Sequence, residues 1–266
     1  MALGRVIREH RLYTYVGQRN PASDVETLPG YCYSACALAF LGGEYRYLIN
    51  GSTYGVHRFF WKEHTNADAD VAQIISAAVV QYINEMGVCT KLFALASQAG
   101  PSEIVTPSPD ELSNLDVVNN GRKPVQWSIE SIPGAIYLKG QQETSIGMNK
   151  FMLTCPAKGA LYLYAIFDAG QNTNDVMRWP TNWLFIDGQH IEIEDQLFKK
   201  AVANGWINLY YHADKGILSA IANAKDRVGV GLAPTPGAAV FNGFADMPFK
   251  DGAMKLPGFL QVCGRR

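Results

Sequence analysis

The feature that most constrains the fold of this chain is a series of short apolar segments that follow residue 124. They are rich in aromatic and β-branched residues and are separated by turn signals, a composition that predicts strands. Many short strands must bury their apolar faces in a common core, so we predict a β-rich domain here, with a sandwich as its candidate architecture. The segments are QWSIE, GAIYLKG, KFMLTC, ALYLYAIF, WLFIDG, HIEI and WINLYYH.

The sequence upstream of these segments has a different composition, and the change falls at Asn-Asn-Gly-Arg-Lys-Pro, residues 119–124. Helical and strand-like patterns alternate before it. We therefore predict two domains, the first over 1–120 and a β-rich accessory domain over 121–266. Helical patterns occupy residues 1–10, 35–43, 67–86 and 90–100, and another begins at 108.

Charge and residue spacing exclude several classes of partner. The chain has 23 basic and 24 acidic side chains, for a net charge of -1, and no dense basic patch, so we expect no nucleic-acid partner. No apolar run reaches the length of about 18 residues that a membrane span needs. The cysteines and histidines have no metal-ligand spacing, and no glycine-rich phosphate loop is present, so we expect neither metal nor cofactor.

Ser34 stands in GYCYSACALAFLGG, residues 30–43, directly before a short apolar helix. A serine at this place is commonly an N-cap. The alternative is a nucleophile, which needs a general base, a group that orients the base and donors for an oxyanion. The amide of Ala35 is a candidate oxyanion donor at the helix start, and His57 is the candidate base, although a lone histidine in a strand also suits a structural role.

These residues resemble the proteolytic subunit of Clp protease and its relatives in the Clp protease and crotonase superfamily, in particular a periplasmic-like bacterial branch with Ser-Ala-Cys and Gly-Val-His motifs. Gly30, Ser34 and His57 match the family's glycine, nucleophile and histidine in order and spacing. The resemblance covers about residues 1–120. It implies an α/β Clp protease/crotonase-like fold for this domain, a peptide or protein substrate, assembly into a homo-oligomer and a periplasmic location, with the cytoplasm as the alternative.

The chain departs from the family's pattern in three places. The family's acid falls at Glu103, and nearby Asp110 competes for the role but suits a helix start better. Cys36 replaces the glycine that normally follows the nucleophile by two positions. The glycine-rich loop that supplies a second oxyanion donor is missing before residues 1–10. We therefore expect a domain that is N-terminally truncated or has lost part of its oxyanion hole.

The resemblance supports a Clp-type serine peptidase as the first hypothesis. In it Ser34 attacks an acyl carbon, His57 transfers the proton, Glu103 orients His57, and the Ala35 amide stabilises the oxyanion. The alternative is a catalytically degenerate Clp-like domain that supports a β-rich binding or interaction module. A crotonase-type protein that processes acyl-CoA fits less well, because such enzymes do not use a serine and histidine with this spacing.

The five cysteines leave at least one free thiol, because their number is odd. We predict that Cys32 and Cys36 are small buried thiols near the site, since no thioredoxin-like pattern surrounds them. Cys155 and Cys263 lie in strand-like segments. Whether these two form a disulfide in an oxidising compartment stays open.

Overall fold

The computed structural model describes residues 1–23, 26–59, 68–100, 103–156, 161–194 and 198–264. The chain forms two compact units, which are Met1–Arg122 and Lys123–Arg266. Each unit has a hydrophobic core of its own.

The first unit contains five helices and six short strands within the described residues. The helices are α1 (Ala2–Glu9), α2 (Ala35–Leu41), α3 (Asp68–Glu85), α4 (Lys91–Gln98) and α5 (Pro109–Asn114). The strands are β1 (Thr14–Val16), β2 (Gln18–Arg19), β3 (Thr27–Leu28), β4 (Tyr31–Tyr33), β5 (Arg46–Leu48) and β6 (Thr53–Gly55). The helical patterns therefore predicted α1 to α4 correctly.

The strands of the first unit pair two by two. β1 runs parallel to β5, β4 runs parallel to β6, and β2 is antiparallel to β3. Helices α1 and α2 approach each other closely at Gly4 and Gly42, where a Cβ atom added to Gly42 would lie 2.2 Å from the carbonyl oxygen of Gly4. Only glycine permits this approach, which places α1 against the C-terminal end of α2.

The predicted fold class, an α/β Clp protease/crotonase-like domain, is wrong. The structure is mixed and β-rich, with 31% helix and 36% strand, and its largest sheet is a six-stranded antiparallel sheet in the second unit. Alternating helix and strand patterns predict α/β only if the strands join into one parallel sheet. Among the described residues of the first unit, strands of two or three residues form two-stranded pairs instead.

The second unit has ten strands and three helices in its described residues, with a 3-10 turn at Gly170–Asn172. The strands are β7 (Gln126–Ile132), β8 (Ala135–Thr144), β9 (Gly147–Pro156), β10 (Tyr162–Phe167), β11 (Thr181–Ile186), β12 (Gln189–Glu192), β13 (Phe198–Ala203), β14 (Trp206–His212), β15 (Arg227–Ala233) and β16 (Asn242–Pro248). The helices are α6 (Thr173–Val176), α7 (Lys215–Asn223) and α8 (Lys250–Cys263).

Two antiparallel sheets and three helices share the core of the second unit. The sheet orders are β13-β14-β10-β9-β8-β7 and β12-β11-β15-β16. Residues along β8 alternate between half-buried and buried, as expected for a sheet with one face in the core. Core residues come from both sheets and from α6, α7 and α8, so the unit is more than a pair of sheets.

A disulfide joins Cys155 in β9 to Cys263 at the end of α8. Cys263 therefore lies in a helix, and its prediction as part of a strand was wrong. None of the helices in the described ranges combines the length and the apolar character that crossing a bilayer requires.

Candidate functional site

Ser34 lies on the turn between β4 and α2 in a backbone conformation that serine rarely adopts. Its φ is 59° and its ψ is -123°. These angles match the first central residue of a type II′ turn, a position that favours glycine. Such a conformation costs a residue with a side chain about 1–3 kcal/mol, and strain of this kind collects at active sites. A strained strand-to-helix turn also exposes the nucleophilic serine of many hydrolases.

The side chain of Ser34 does not make the hydrogen bond that defines an N-cap. Ser34 occupies the position before α2, but its hydroxyl accepts no capping hydrogen bond from the first turn, and the residue is exposed. The amide of Ala35 has no partner within the helix, because the first amides of any helix lack one. The helix start therefore keeps both a free hydroxyl and an amide that can bind negative charge.

The pairing of β4 with β6 places Ser34 and His57 at one edge. Cys32 lies opposite Tyr54 and Tyr33 lies opposite Gly55 in this parallel pair. Ser34 follows β4 directly, and His57 is the second residue after β6. Both residues line one cavity of about 480 Å³. The structure thus places the predicted nucleophile and the predicted base on one cavity, and among the described residues no hydrogen bond joins their side chains.

A hydrogen bond fixes which ring nitrogen of His57 carries the proton. Its Nδ1 lies 2.7 Å from the carbonyl oxygen of Arg58. A carbonyl only accepts, so Nδ1 must be the donor in the neutral ring, and Nε2 is then left with a free lone pair. This is the tautomer that a general base needs. The Arg58 carbonyl occupies the place that an orienting carboxylate takes in a Ser-His-Asp triad.

Glu103 lies near this edge, but its carboxylate is engaged elsewhere. Val105, two residues after Glu103, exchanges two backbone hydrogen bonds of 2.9 Å with Val56. Val56 directly precedes His57, so these bonds place the Glu103 segment beside the site. The Glu103 Oε2 atom accepts a 2.8 Å hydrogen bond from the Gly100 amide. Among the described residues it has no hydrogen bond to His57, so its orienting role stays a prediction.

Asp110, the competing acid, lies in the first turn of α5. That helix begins with a complete capping box, in which the Ser108 hydroxyl accepts from the Glu111 amide and the Glu111 carboxylate accepts from the Ser108 amide. Acidic residues are favoured at such a helix start. Asp110 therefore lies at a helix start, as its position in the sequence predicted, but Ser108 and Glu111 make the capping hydrogen bonds.

The cavity beside Ser34 is predominantly apolar. Side chains from α3 and α4 form much of its wall, and Arg58 also lines it. A pocket of this size and character suits an apolar group of a small ligand or of a peptide side chain. Its apolar lining includes Leu38, Val56, Ile75, Val79, Phe93 and Ala96.

Two arginines hold the C-terminal end of α2, a feature that the sequence did not reveal. Arg8 donates to the carbonyl oxygens of Leu41, Gly42 and Gly43 at 2.9–3.1 Å. Arg46 donates to that of Gly43 at 2.9 Å. Burial lowers the pKa of Arg46 to about 10, which leaves it charged at neutral pH. Positive charge at this end of a helix is favourable, so both residues fix the helix that carries Ser34.

Two buried tyrosines also hold α2. The Tyr82 hydroxyl donates to the Leu38 carbonyl at 2.6 Å, and the Tyr54 hydroxyl donates to the Ala37 carbonyl at 3.3 Å. Burial raises the pKa of both hydroxyls, so they stay protonated and remain donors. Ser34 is therefore attached to a helix that is restrained along most of its length.

A disulfide links Cys32 to Cys36 across Ser34, with Cα atoms 5.3 Å apart. The prediction that both are free thiols was wrong. The motif matched no known redox spacing, but a strand that turns sharply into a helix brings these positions within disulfide distance. Cys89 carries the free thiol that the odd number of cysteines required.

Gly30, the first residue of the predicted motif, has a structural reason to be glycine. An added Cβ atom would lie 2.9 Å from the backbone atoms of Gly17. The residue precedes β4 and accepts a hydrogen bond from the Thr53 amide, so it fixes the start of that strand against β6.

No cluster of three or more metal-ligating side chains occurs in the part of the chain that the structure describes. The cavity is lined by a serine, an imidazole and the first residue of a helix, and these are groups that an acyl-transfer reaction can use. Comparisons of the whole chain with family models, with curated proteins and with solved structures found no match.

Proposed function

We propose that this chain is a serine hydrolase of the acyl-transfer type, with Ser34 as nucleophile, His57 as general base and the Ala35 amide as oxyanion donor. The observation that carries the proposal is the strained conformation of Ser34, whose hydroxyl caps nothing and shares a cavity with His57. The motif resemblance to Clp peptidases favours a peptide or protein substrate. We infer that this resemblance reflects shared chemistry, since the predicted fold class does not hold.

The reaction follows from the tautomer of His57. Nε2 accepts the proton of the Ser34 hydroxyl while Oγ bonds to the carbonyl carbon of the substrate. The carbonyl oxygen becomes an oxyanion next to the Ala35 amide. The tetrahedral intermediate expels the leaving amine or alcohol, which takes the proton from His57, and an ester to Ser34 remains. Water, deprotonated by His57, then hydrolyses this ester and restores the hydroxyl of Ser34.

The cavity restricts the acyl group of the substrate. Its apolar wall accepts an aliphatic or aromatic group next to the reacting carbonyl, because a charged group in contact with these apolar side chains would lose its hydration. The proposed substrates are therefore peptides with an apolar residue before the scissile bond, or esters of apolar acids.

Location and assembly are part of the proposal. The two disulfides support an oxidising compartment, and the bacterial periplasm fits both them and the motif resemblance. Homo-oligomers are a further expectation from the resemblance. Exposed apolar residues on and just after α1 are compatible with self-association, and they are Leu3, Val6, Leu12, Tyr13 and Tyr15.

The experiment is turnover of a fluorogenic peptide with an apolar residue before the scissile bond, and of a butyrate ester. Ser34→Ala and His57→Ala should each abolish turnover. Ser76→Ala and Ser97→Ala are matched controls, because both serines line the same cavity, and they should retain it. If the folded wild-type chain turns over neither substrate, the hydrolase gives way to the alternative, a degenerate domain that supports a binding module.

A further inference from the structure

The Cys32–Cys36 disulfide surrounds the proposed nucleophile symmetrically. It joins the residue two positions before Ser34 to the residue two positions after it. Cys32 is buried in β4, where it pairs with Tyr54, and Cys36 is the second residue of α2. The bond therefore ties the strand to the first turn of the helix across the strained residue.

We propose that this disulfide is a positioning device that holds Ser34 in its reactive conformation, so that its reduction slows the chemistry at Ser34. The inference rests on the proposed hydrolase function. Strain at a residue persists only where its surroundings impose it. The hydroxyl of Ser34 makes no capping bond that would hold the residue in this conformation. The backbone segments on both sides of Ser34 must therefore hold it there. The disulfide is the covalent part of that constraint.

The two cysteines differ in their access to a reductant. Cys36 is exposed, whereas Cys32 is 3% exposed. A dithiol can therefore attack the sulfur of Cys36 and release Cys32 as a thiol, and its second thiol then displaces Cys36. The disulfide gains two electrons and two protons, and the dithiol becomes a cyclic disulfide. Both products are thiols that no longer connect β4 to α2.

The second disulfide provides a matched control within the same chain. Cys155 is 2% exposed, Cys263 is half-buried, and the bond between them lies in the second unit. A dithiol reaches this bond less readily than the Cys32–Cys36 bond, because Cys36 is exposed and Cys263 is only half-buried. Loss of the Cys155–Cys263 bond should leave the Ser34 turn unchanged, so the two bonds separate a local effect from a general loss of stability.

The test measures the rate at which a fluorophosphonate probe labels Ser34, with the adduct located by peptide mass. The whole chain is used in a Cys89→Ser background, which prevents disulfide exchange through the free thiol. Three samples are compared: the oxidised chain, the Cys32→Ser/Cys36→Ser variant, and the Cys155→Ser/Cys263→Ser variant. The oxidised chain is also measured after treatment with dithiothreitol, which keeps the inference testable if the first variant does not fold.

We expect labelling to slow by about 10- to 100-fold in the Cys32→Ser/Cys36→Ser variant and after dithiothreitol, because a misplacement of about 1 Å at a reacting atom can cost about 100-fold. Reoxidation should restore the rate, and circular dichroism should show an unchanged fold. The Cys155→Ser/Cys263→Ser variant should label at the rate of the oxidised chain.

Equal labelling of the oxidised and reduced Cys32–Cys36 chain would overturn the positioning role and leave the proposed hydrolase intact. Absence of Ser34 labelling in the oxidised chain would overturn the hydrolase, and this inference with it. A slower reaction that affects both cysteine variants equally would also contradict the inference, since it would show a general loss of stability.

Discussion

Ser34 and His57 emerge at the same edge of a parallel strand pair, and the pairing of Tyr33 with Gly55 sets their relative position. Within the residues that the structure describes, neither side chain makes the contacts of a structural role. Ser34 adopts a strained backbone conformation without capping α2, and His57 uses only Nδ1 in a hydrogen bond to the Arg58 carbonyl. The proposed roles of nucleophile and base rest on this exposed hydroxyl, on the tautomer of His57 and on the cavity that both residues line.

The strain at Ser34 predicts an unusual stability pattern. Ser34→Gly should raise the free energy of unfolding by about 1 kcal/mol relative to Ser34→Ala, because glycine adopts a positive φ without the cost that other residues have. Both variants should lose turnover. Urea denaturation measures the stabilities, and equal stabilities would mean that the Ser34 conformation carries no strain.

Ser108 supplies the matched control for the capping hypothesis. Ser108→Ala should lower the free energy of unfolding by about 1 kcal/mol, since it removes a complete capping box. Ser34→Ala should change it by less than about 0.5 kcal/mol, as expected for a site with no capping bond. A loss at Ser34 as large as that at Ser108 would identify Ser34 as a helix cap.

The position of Glu103 predicts a small catalytic effect. Glu103→Gln should reduce kcat by less than about tenfold, because the carboxylate binds the Gly100 amide and the Arg58 carbonyl orients His57. Asp110→Asn is the parallel variant and should behave similarly. A fall of about 10⁴ in kcat for Glu103→Gln, the size seen when a triad acid is replaced, would restore Glu103 as the orienting acid.

The apolar wall of the cavity predicts selectivity for the acyl group. Ala96→Phe should fill part of the cavity and lower kcat/KM for an octanoate ester by about tenfold, with little change for an acetate ester. Ala94→Phe on the same helix is the control, because Ala94 is exposed and does not line the cavity. Equal losses for both esters would place the acyl group elsewhere.

The buried guanidinium of Arg46 predicts a large stability effect. Arg46→Met should cost about 3 kcal/mol in the free energy of unfolding, since it removes the donor from the buried carbonyls of Val117 and Gly43. Arg8→Met should cost less, because Arg8 is half-buried and water can replace its hydrogen bonds. Denaturation of both variants tests this, and the reverse order would contradict it.

The long separation of Cys155 and Cys263 predicts a stability effect without a catalytic one. The two cysteines are 108 residues apart, and closing a loop of this length restricts the unfolded chain by about 4–5 kcal/mol. Cys155→Ser/Cys263→Ser should therefore lower the thermal unfolding midpoint of the second unit. Turnover at room temperature should be retained, and its loss would link this bond to the active site.

Local patterns predicted local structure well in the first unit. The long helix expected over 67–86 is α3 at Asp68–Glu85, because its length and apolar spacing leave little ambiguity. The fold class failed because strands of two or three residues carry no sequence signal of which strands they join. Helix α8 was missed because Pro257 lies inside it, and proline normally argues against a helix interior.

The site was predictable only in part. Ser34 and His57 carried a motif, and the cavity that they share could be anticipated from it. The hydrogen bond from His57 to the Arg58 carbonyl could not be anticipated, because every residue has a backbone oxygen and no side-chain pattern marks this one. The direction of the Glu103 carboxylate depends on the turn at Gly100, and the Cys32–Cys36 bond depends on the sharp turn at Ser34. Both arise from backbone geometry that the sequence does not specify by itself.

The most direct test of the central claim is covalent labelling by a fluorophosphonate, with the adduct located by peptide mass. The account predicts a single adduct on Ser34 that Ser34→Ala and His57→Ala abolish and that Ser76→Ala and Ser97→Ala leave unchanged. A folded, oxidised chain that remains unlabelled at Ser34, or that is labelled equally well without His57, would contradict it.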